Sequence, residues 1–206
     1  MFLSAKVKEV ERLFKALDED IAQFQQKSKL GCISGCGECC KKPDIEATVL
    51  EMLPHAYYLY KNKRADEQWE KLKEYNSSIC IIFTSPGGEQ KGFCSEYTTR
   101  GFICRLFGFS AVLTKEGQPS LATCKYIKTS QAQAYQEAVE SIKRGEHVPV
   151  MSEYYMKLYA IDANLSTKFY PINTAIQLAI EEVLSYFAYR SDEVMEQEDR
   201  EATELN

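Results

Sequence analysis

Gly31-Cys32-Ile33-Ser34-Gly35-Cys36-Gly37-Glu38-Cys39-Cys40 packs four cysteines into nine positions, among three glycines. Neither the two-residue period of a strand nor the 3.6-residue period of a helix gives this stretch an apolar core face. Buried free cysteines behave as small hydrophobes, which explains one or two such residues but not four in a segment without a core pattern. The glycines let backbone approach a bound centre and supply amides that hydrogen-bond sulfur. Loop or helical turn, either conformation makes the thiols converge. The segment therefore reads as a chelating loop, and the fold is expected to be built around it. Cys39 and Cys40 are neighbours whose side chains diverge, so they suit a polynuclear cluster, or two adjacent sites that divide the pair. A plain zinc ribbon shows two separated C-x2-C knuckles, and only Cys36 to Cys39 has that spacing.

Outward from this loop lie Cys80, Cys94, Cys104 and Cys124, so all eight cysteines fall between residues 32 and 124. The histidines are two, His55 and His147, without metal-type spacing, and each reads as a surface or packed residue. A site in this chain is then essentially all-sulfur, which suits zinc, copper(I) or iron–sulfur centres. Lys6, Lys8 and Glu9 interrupt the first ten residues, so no secretory leader is expected there. Nowhere does an apolar run reach the roughly 18 residues of a membrane span. The chain is expected to be cytoplasmic, where reduced thiols serve metals or redox chemistry rather than disulfides. With 25 Lys+Arg against 30 Asp+Glu, its net charge of −5 argues against nucleic acid and anionic membranes as partners.

A second block, Cys94-x2-Tyr97-x2-Arg100-x3-Cys104-Arg105, accompanies the C-x3-C-x2-C-C of the loop. Together they resemble the YkgJ-type cysteine-cluster family, described as zinc- or iron-chelating and known by a CxxCxxCC signature. That family's second block runs approximately C-x2-Y-x2-R-P-x2-C-R, and the likeness spans roughly residues 30–125. Three departures stand out: the first gap holds three residues instead of two, Gly101 replaces the usual proline, and the turn Thr84-Ser85-Pro86-Gly87-Gly88-Glu89 sets Cys80 apart from Cys94. The expected ligands are Cys36, Cys39, Cys40, Cys94 and Cys104, followed by Cys32, Cys80 and Cys124, with Cys124 the best candidate for a plain buried thiol. The resemblance extends to the cluster region of flagellin lysine N-methylases, where it implies a [4Fe-4S] centre taking part in methyl transfer from S-adenosylmethionine. It thereby favours iron–sulfur over zinc here. Arg100 and Arg105 flank Cys104 and are expected on the cofactor side, offsetting thiolate charge and donating to sulfur; a salt bridge to a carboxylate such as Glu96 is the plainer alternative. Tyr97 is expected to pack its ring beside the centre.

The rest of the chain reads as helix. Leu3, Val7, Val10, Phe14, Leu17, Ile21 and Phe24 recur at four- and three-residue steps over residues 2–29, with Gly31 as a left-handed cap. This stripe serves either the chain's own core or an unknown protein partner. Pro43-Asp44 is expected to open a helix to about Tyr60 that Pro54 kinks or splits, and residues 61–74 to form another. Ile79-Cys80-Ile81-Ile82-Phe83 and residues 108–113 look like short strands, the latter turning at 115–119. Tyr135, Ala138, Val139 and Ile142 mark a helix ending at Gly145, residues 150–160 a second, and Ile172 to Phe187 a third opened by Pro171.

The expected fold is mainly α with a small β-hairpin or loop-rich patch: a helical domain wrapped around a cysteine-ligated metal centre. It forms one domain over residues 1–190, with the cysteine region at 30–125, a helical part at 126–190 and an acidic tail at 191–206. Three functions follow: an iron–sulfur protein for redox or electron transfer, an S-adenosylmethionine-dependent protein lysine methyltransferase using the cluster, or a zinc-folded interaction protein. The motifs G-x-S-x-G, H-E-x-x-H and the P-loop do not occur, so hydrolase, zincin and nucleotide-triphosphatase chemistry lack their usual residues.

Overall fold

Four- and three-residue steps put seven apolar side chains on one stripe of the first helix, α1 (Leu3–Ser28), and all seven are buried against the chain's own core. The computed structural model that shows this describes residues 2–33, 35–85, 92–190 and residue 200. Most of the turn expected at 84–89 and nearly all of the acidic tail lie outside the described residues. α1 ends at Lys29, which takes the left-handed conformation (φ 59°) and donates its backbone N–H to Gln25 O at 2.9 Å. The cap is thus Lys29, two residues before the expected Gly31.

Residues 43–48 do not open a helix. Glu46–Thr48 is instead a strand, β1, paired antiparallel with β6 (Phe169–Pro171) in the register Glu46↔Pro171, Ala47↔Tyr170 and Thr48↔Phe169. Helix α2 (Val49–Lys61) starts directly after β1 because Thr48 and Glu51 form a capping box. The Glu51 backbone donates to Thr48 Oγ1 at 3.2 Å, and the Thr48 backbone to Glu51 Oε1 at 2.7 Å. Pro54 sits inside α2 without splitting it. Leu50, Leu53 and Ala56 are wholly buried there. β6 leads in the same way into α9 (Ile172–Phe187), whose Ala175, Ile176, Ala179, Ile180 and Val183 are also wholly buried. One small ladder therefore clamps the starts of the two central helices, and Ile172 N–H extends it to Ile45 O at 2.9 Å. Removing a large apolar side chain from water stabilises the fold by about 1.5–3 kcal/mol, so this helix pair with α1 dominates the core.

Smaller elements close the sides. α3 (Ala65–Glu74) is tied to α9 by Trp69 Nε1, which donates to Glu181 Oε1 at 2.8 Å. The expected strand at 79–83 shrinks to β2 (Phe83–Thr84), paired with β3 (Phe93–Cys94). A 3-10 turn (Tyr97–Thr99) leads to α4 (Phe102–Leu106), whose Phe102 ring meets Phe14 of α1 at 5.0 Å between centroids. β4 (Ser110–Leu113) and β5 (Pro119–Ala122) make the expected hairpin. α5 (Lys125–Ser130), α6 (Ala132–Lys143), α7 (Met151–Ile161) and α8 (Ala163–Ser166) follow. The protein is mainly α with a small β patch. No helix among the described residues is long and apolar enough to cross a membrane.

Candidate metal centre

Three stretches of chain carry Cys32 to Cys40, Cys80, and Cys94 with Cys104, and each is fixed by a polar side chain from elsewhere. Gln131, between α5 and α6, grips the loop just before Cys32: its Oε1 accepts from Gly31 N at 2.9 Å and its Nε2 donates to Gly31 O at 2.7 Å. Asn173, in the first turn of α9, holds the segment around Cys80. Its Oδ1 accepts from Ile81 N at 2.9 Å, while its Nδ2 donates to Ser77 O at 3.0 Å and Ile79 O at 2.9 Å. Glu51 secures α4 beside Cys104, its Oε2 accepting from Ile103 N at 2.8 Å. Its other oxygen takes the Thr48 hydroxyl at 3.1 Å and the Tyr155 hydroxyl at 3.3 Å. Burial pushes the Glu51 carboxyl above its usual range despite these donors.

Backbone bonds then join the stretches. Cys80 N–H donates to Cys40 O at 3.1 Å, Gly92 N–H to Gly35 O at 3.3 Å, and β2 sets Phe83 opposite Cys94. The approach is close at Gly37 (φ +60°), where a Cβ would lie 2.5 Å from the Phe83 ring and 2.6 Å from Gly92 O. Only glycine fits there. Gly101, at the position of the family's usual proline, faces Met52 Sδ and Glu51, and a Cβ would stand 2.7 Å from that sulfur.

All eight cysteines are free thiols; Cys32 is exposed and the other seven are half-buried. The Cys40–Cys39 hydrogen bond holds the Cys39 thiol low and the Cys40 thiol high, as one proton between two sulfurs requires. Burial pushes Cys80 up to about 11 and raises Cys94 and Cys104, with neighbouring thiols adding to each. Cys32 is raised by burial and then by Cys36, Cys39 and Cys124. The charge of Cys39 is felt by Cys32, Cys80, Cys94 and Cys104 alike. Among the described residues no three Cys, His, Asp or Glu side chains stand at the spacing of a single ion's shell.

Arg100 is the charged side chain that lies beside these thiols. Its Nε is buried without a hydrogen-bond partner, its guanidinium lies 3.8 Å over the Tyr97 ring, and its charge favours the thiolates of Cys39, Cys94 and Cys104. A buried donor without an acceptor, beside sulfurs that become anionic on binding metal, fits an occupied thiolate centre. Arg105 departs from expectation. Its guanidinium pairs with Asp18, donates to Thr98 O at 2.6 Å and Arg100 O at 3.1 Å, and lies over Phe14 rather than serving sulfur. Glu96 pairs with Arg64 at 3.0 Å, not with Arg100 or Arg105. Tyr97 is exposed and acts by stacking on Arg100. His55 is packed against Thr99 Oγ1 at 3.0 Å, and His147 is a surface partner of Asp20 at 2.6 Å. Of the three clamps only Glu51 had a readable signal, the Thr48-x-x-Glu51 capping box; Gln131 and Asn173 look like ordinary helix-flanking polar residues in the sequence.

A helical domain with clamped, thiol-rich loops has the donor set of a cysteine-based metal chelator. The model of the CxxCxxCC family, described as a "putative zinc- or iron-chelating domain", matches residues 31–141, which include all eight cysteines, Arg100 and Gln131. This is more than half of the 206 residues, and the chain belongs to that family. Comparisons with the curated proteins and with the solved structures gave no match.

Proposed function

We propose that the protein is an iron–sulfur protein of the cytoplasm, holding a [4Fe-4S] cluster for redox or electron-transfer use. The observation that carries the reading is Arg100: a guanidinium nitrogen, buried and unpartnered, beside Cys39, Cys94 and Cys104. Such a donor offsets the negative charge of a thiolate-ligated cluster and hydrogen-bonds its sulfurs. One of the vicinal pair Cys39 and Cys40, with Cys80, Cys94 and Cys104, supplies the four thiolates a four-iron centre needs. These come from three clamped segments, which fixes the ligands from different sides. Because burial holds Cys80, Cys94 and Cys104 protonated, binding must release their protons, so loading is favoured by higher pH. When bound, the cluster supplies one-electron chemistry; the chain's own residues position it, limit water and balance its charge. Eight thiols without a disulfide suit a reducing compartment.

Anaerobic purification followed by iron, acid-labile sulfide and zinc analysis tests this. The expected product is brown, with stoichiometric iron and sulfide and visible absorption that bleaches with dithionite. A colourless protein carrying only zinc would refute the cluster and support a zinc-folded domain instead.

A further inference from the structure

We propose that the surface formed by the 31–42 loop and α5 docks the carboxylate-rich face of a second protein. The docking does not depend on which metal the thiols hold. Only the role of the docked protein rests on the reading above, under which it is a one-electron carrier. In that role one electron passes from the reduced carrier to the oxidised centre, and no bond is made or broken.

Hydrogen bonds lay the loop along α5. Gln131, at the end of α5, holds Gly31 through two bonds of 2.9 and 2.7 Å. Near the start of α5, the Tyr126 hydroxyl donates to Glu38 Oε2 at 3.5 Å. Gly35 O accepts from Gly92 N–H at 3.3 Å, which brings the neighbouring Phe93 to the loop as well. Ile33, Phe93 and Tyr126 come from three different segments, and all three are exposed. Single exposed apolar side chains are ordinary, whereas several on segments tied to one another mark an interaction surface.

The charge of this surface is opposite to that of the chain. Residues 31–42 and 124–131 hold Lys41, Lys42, Lys125 and Lys128 against Glu38 alone, in a chain whose net charge is −5. Glu38 pairs with Lys41. Lys42, Lys125 and Lys128 are exposed and lie over the rings of Phe107, Tyr126 and Tyr135 at 5.6, 5.9 and 5.4 Å. Cations beside exposed apolar groups make the anatomy of a protein–protein interface, an apolar centre within a charged rim. A positive rim selects a negative partner face. An anionic bilayer or a nucleic acid strand extends past this patch and meets the excess of acidic residues elsewhere. Carboxylates confined to one protein face meet only the lysines, since exposed charges are screened within about 8 Å.

The test uses the full chain, purified anaerobically with the metal it carries, and a labelled copolymer of glutamate and tyrosine as the acidic probe. Bound probe should shield Lys42, Lys125 and Lys128 from acetylation, read by mass spectrometry, and leave Lys143 and Lys157 as reactive as before. Binding should weaken as salt rises, and should exceed that of polyglutamate, which has no rings to meet Ile33, Phe93 and Tyr126. Lys125→Glu/Lys128→Glu should weaken it about tenfold, the loss of a few exposed charge pairs. Lys143→Glu/Lys157→Glu, which changes the net charge equally, should not. Equal losses in the two variants, protection at other lysines, or no binding would overturn the proposal. So would tighter binding of a single-stranded oligonucleotide or of vesicles containing phosphatidylserine, or burial of these lysines by self-association of the chain. Should a variant not fold, the acetylation map of the wild type decides. Zinc-only protein that binds the probe in this way would uphold the surface and refute the cluster; iron-loaded protein that ignores the probe would do the reverse.

Discussion

Arg100 is the residue whose environment is least self-sufficient. A buried donor left without an acceptor costs on the order of 1–3 kcal/mol, and under the proposed function a bound centre would relieve that cost. Arg100→Met, which keeps the length and removes the charge and donors, is expected to weaken metal binding by about 10–100-fold in a competition assay against a chromophoric chelator. Arg100→Lys should fall between, because an ammonium keeps the charge and loses the planar fork; affinity equal to wild type in Arg100→Met would remove Arg100 from the site. His55 carries a separate consequence. Burial first, and the Arg64 charge second, lower its pKa from 6.5 to about 4. A group whose folded pKa lies below its unfolded one contributes stability at pH above 6.5 and loses it as pH falls towards 4, by about 3 kcal/mol in all. Glu51 works in the opposite sense, since its raised carboxyl pKa disfavours the folded state as pH rises. The two are told apart by urea midpoints from pH 7 to 4.5. His55→Asn should flatten the loss across that window, and an unchanged slope would show that other groups set it.

Between elements, the decisive parts are long-range amide clamps. Asn173→Ala removes three hydrogen bonds at once and strands Ile81 N–H, so a loss of about 2 kcal/mol in urea unfolding is expected. The same variant should release metal faster, because the Cys80 segment loses its anchor to α9. Equal release rates in variant and wild type would mean that Cys80 is held by something else. This layer also marks where the sequence was readable. α1 and α9 announce themselves because a stripe of seven or so apolar residues at helical spacing has one stable solution. The chelating loop is readable for the opposite reason, its lack of any core pattern. The pairing of β1 with β6 is not readable, since three-residue strands more than a hundred positions apart show no period and are selected by the helices they start. Asn173 and Gln131 are hidden likewise: an amide's partner backbone lies about a hundred residues away. The start of α2 was open to reading, as Thr48-x-x-Glu51 is a stronger signal than Pro43-Asp44, and the proline drew the boundary too early.

For the molecule as a whole, core and centre are adjacent but distinct. The large, fully buried side chains, such as Leu17, Leu53, Phe102, Leu158, Ile176 and Ile180, come from α1, α2, α4, α7 and α9. None of the eight cysteines is fully buried. In small zinc-dependent modules the metal stands in for a core, and removing it unfolds the chain; here 37 buried apolar residues among those described, none of them a cysteine, make up one core cluster. Stripping the metal should therefore lower stability by mass action, about 2.7 kcal/mol where free metal had stood at a hundred times its Kd, yet leave most of the helical signal in far-ultraviolet circular dichroism. Hydrogen exchange should accelerate in residues 35–44, 77–85 and 92–104 and stay slow in α2 and α9, since local opening follows the ties that are lost. Collapse of the helical signal on chelation would show the reverse dependence, with the centre organising the helices. The clamps decide against that direction: Gln131, Asn173 and Glu51 all reach from helices or their junctions towards the cysteine segments, so the helical frame holds the loops and the loops hold the metal.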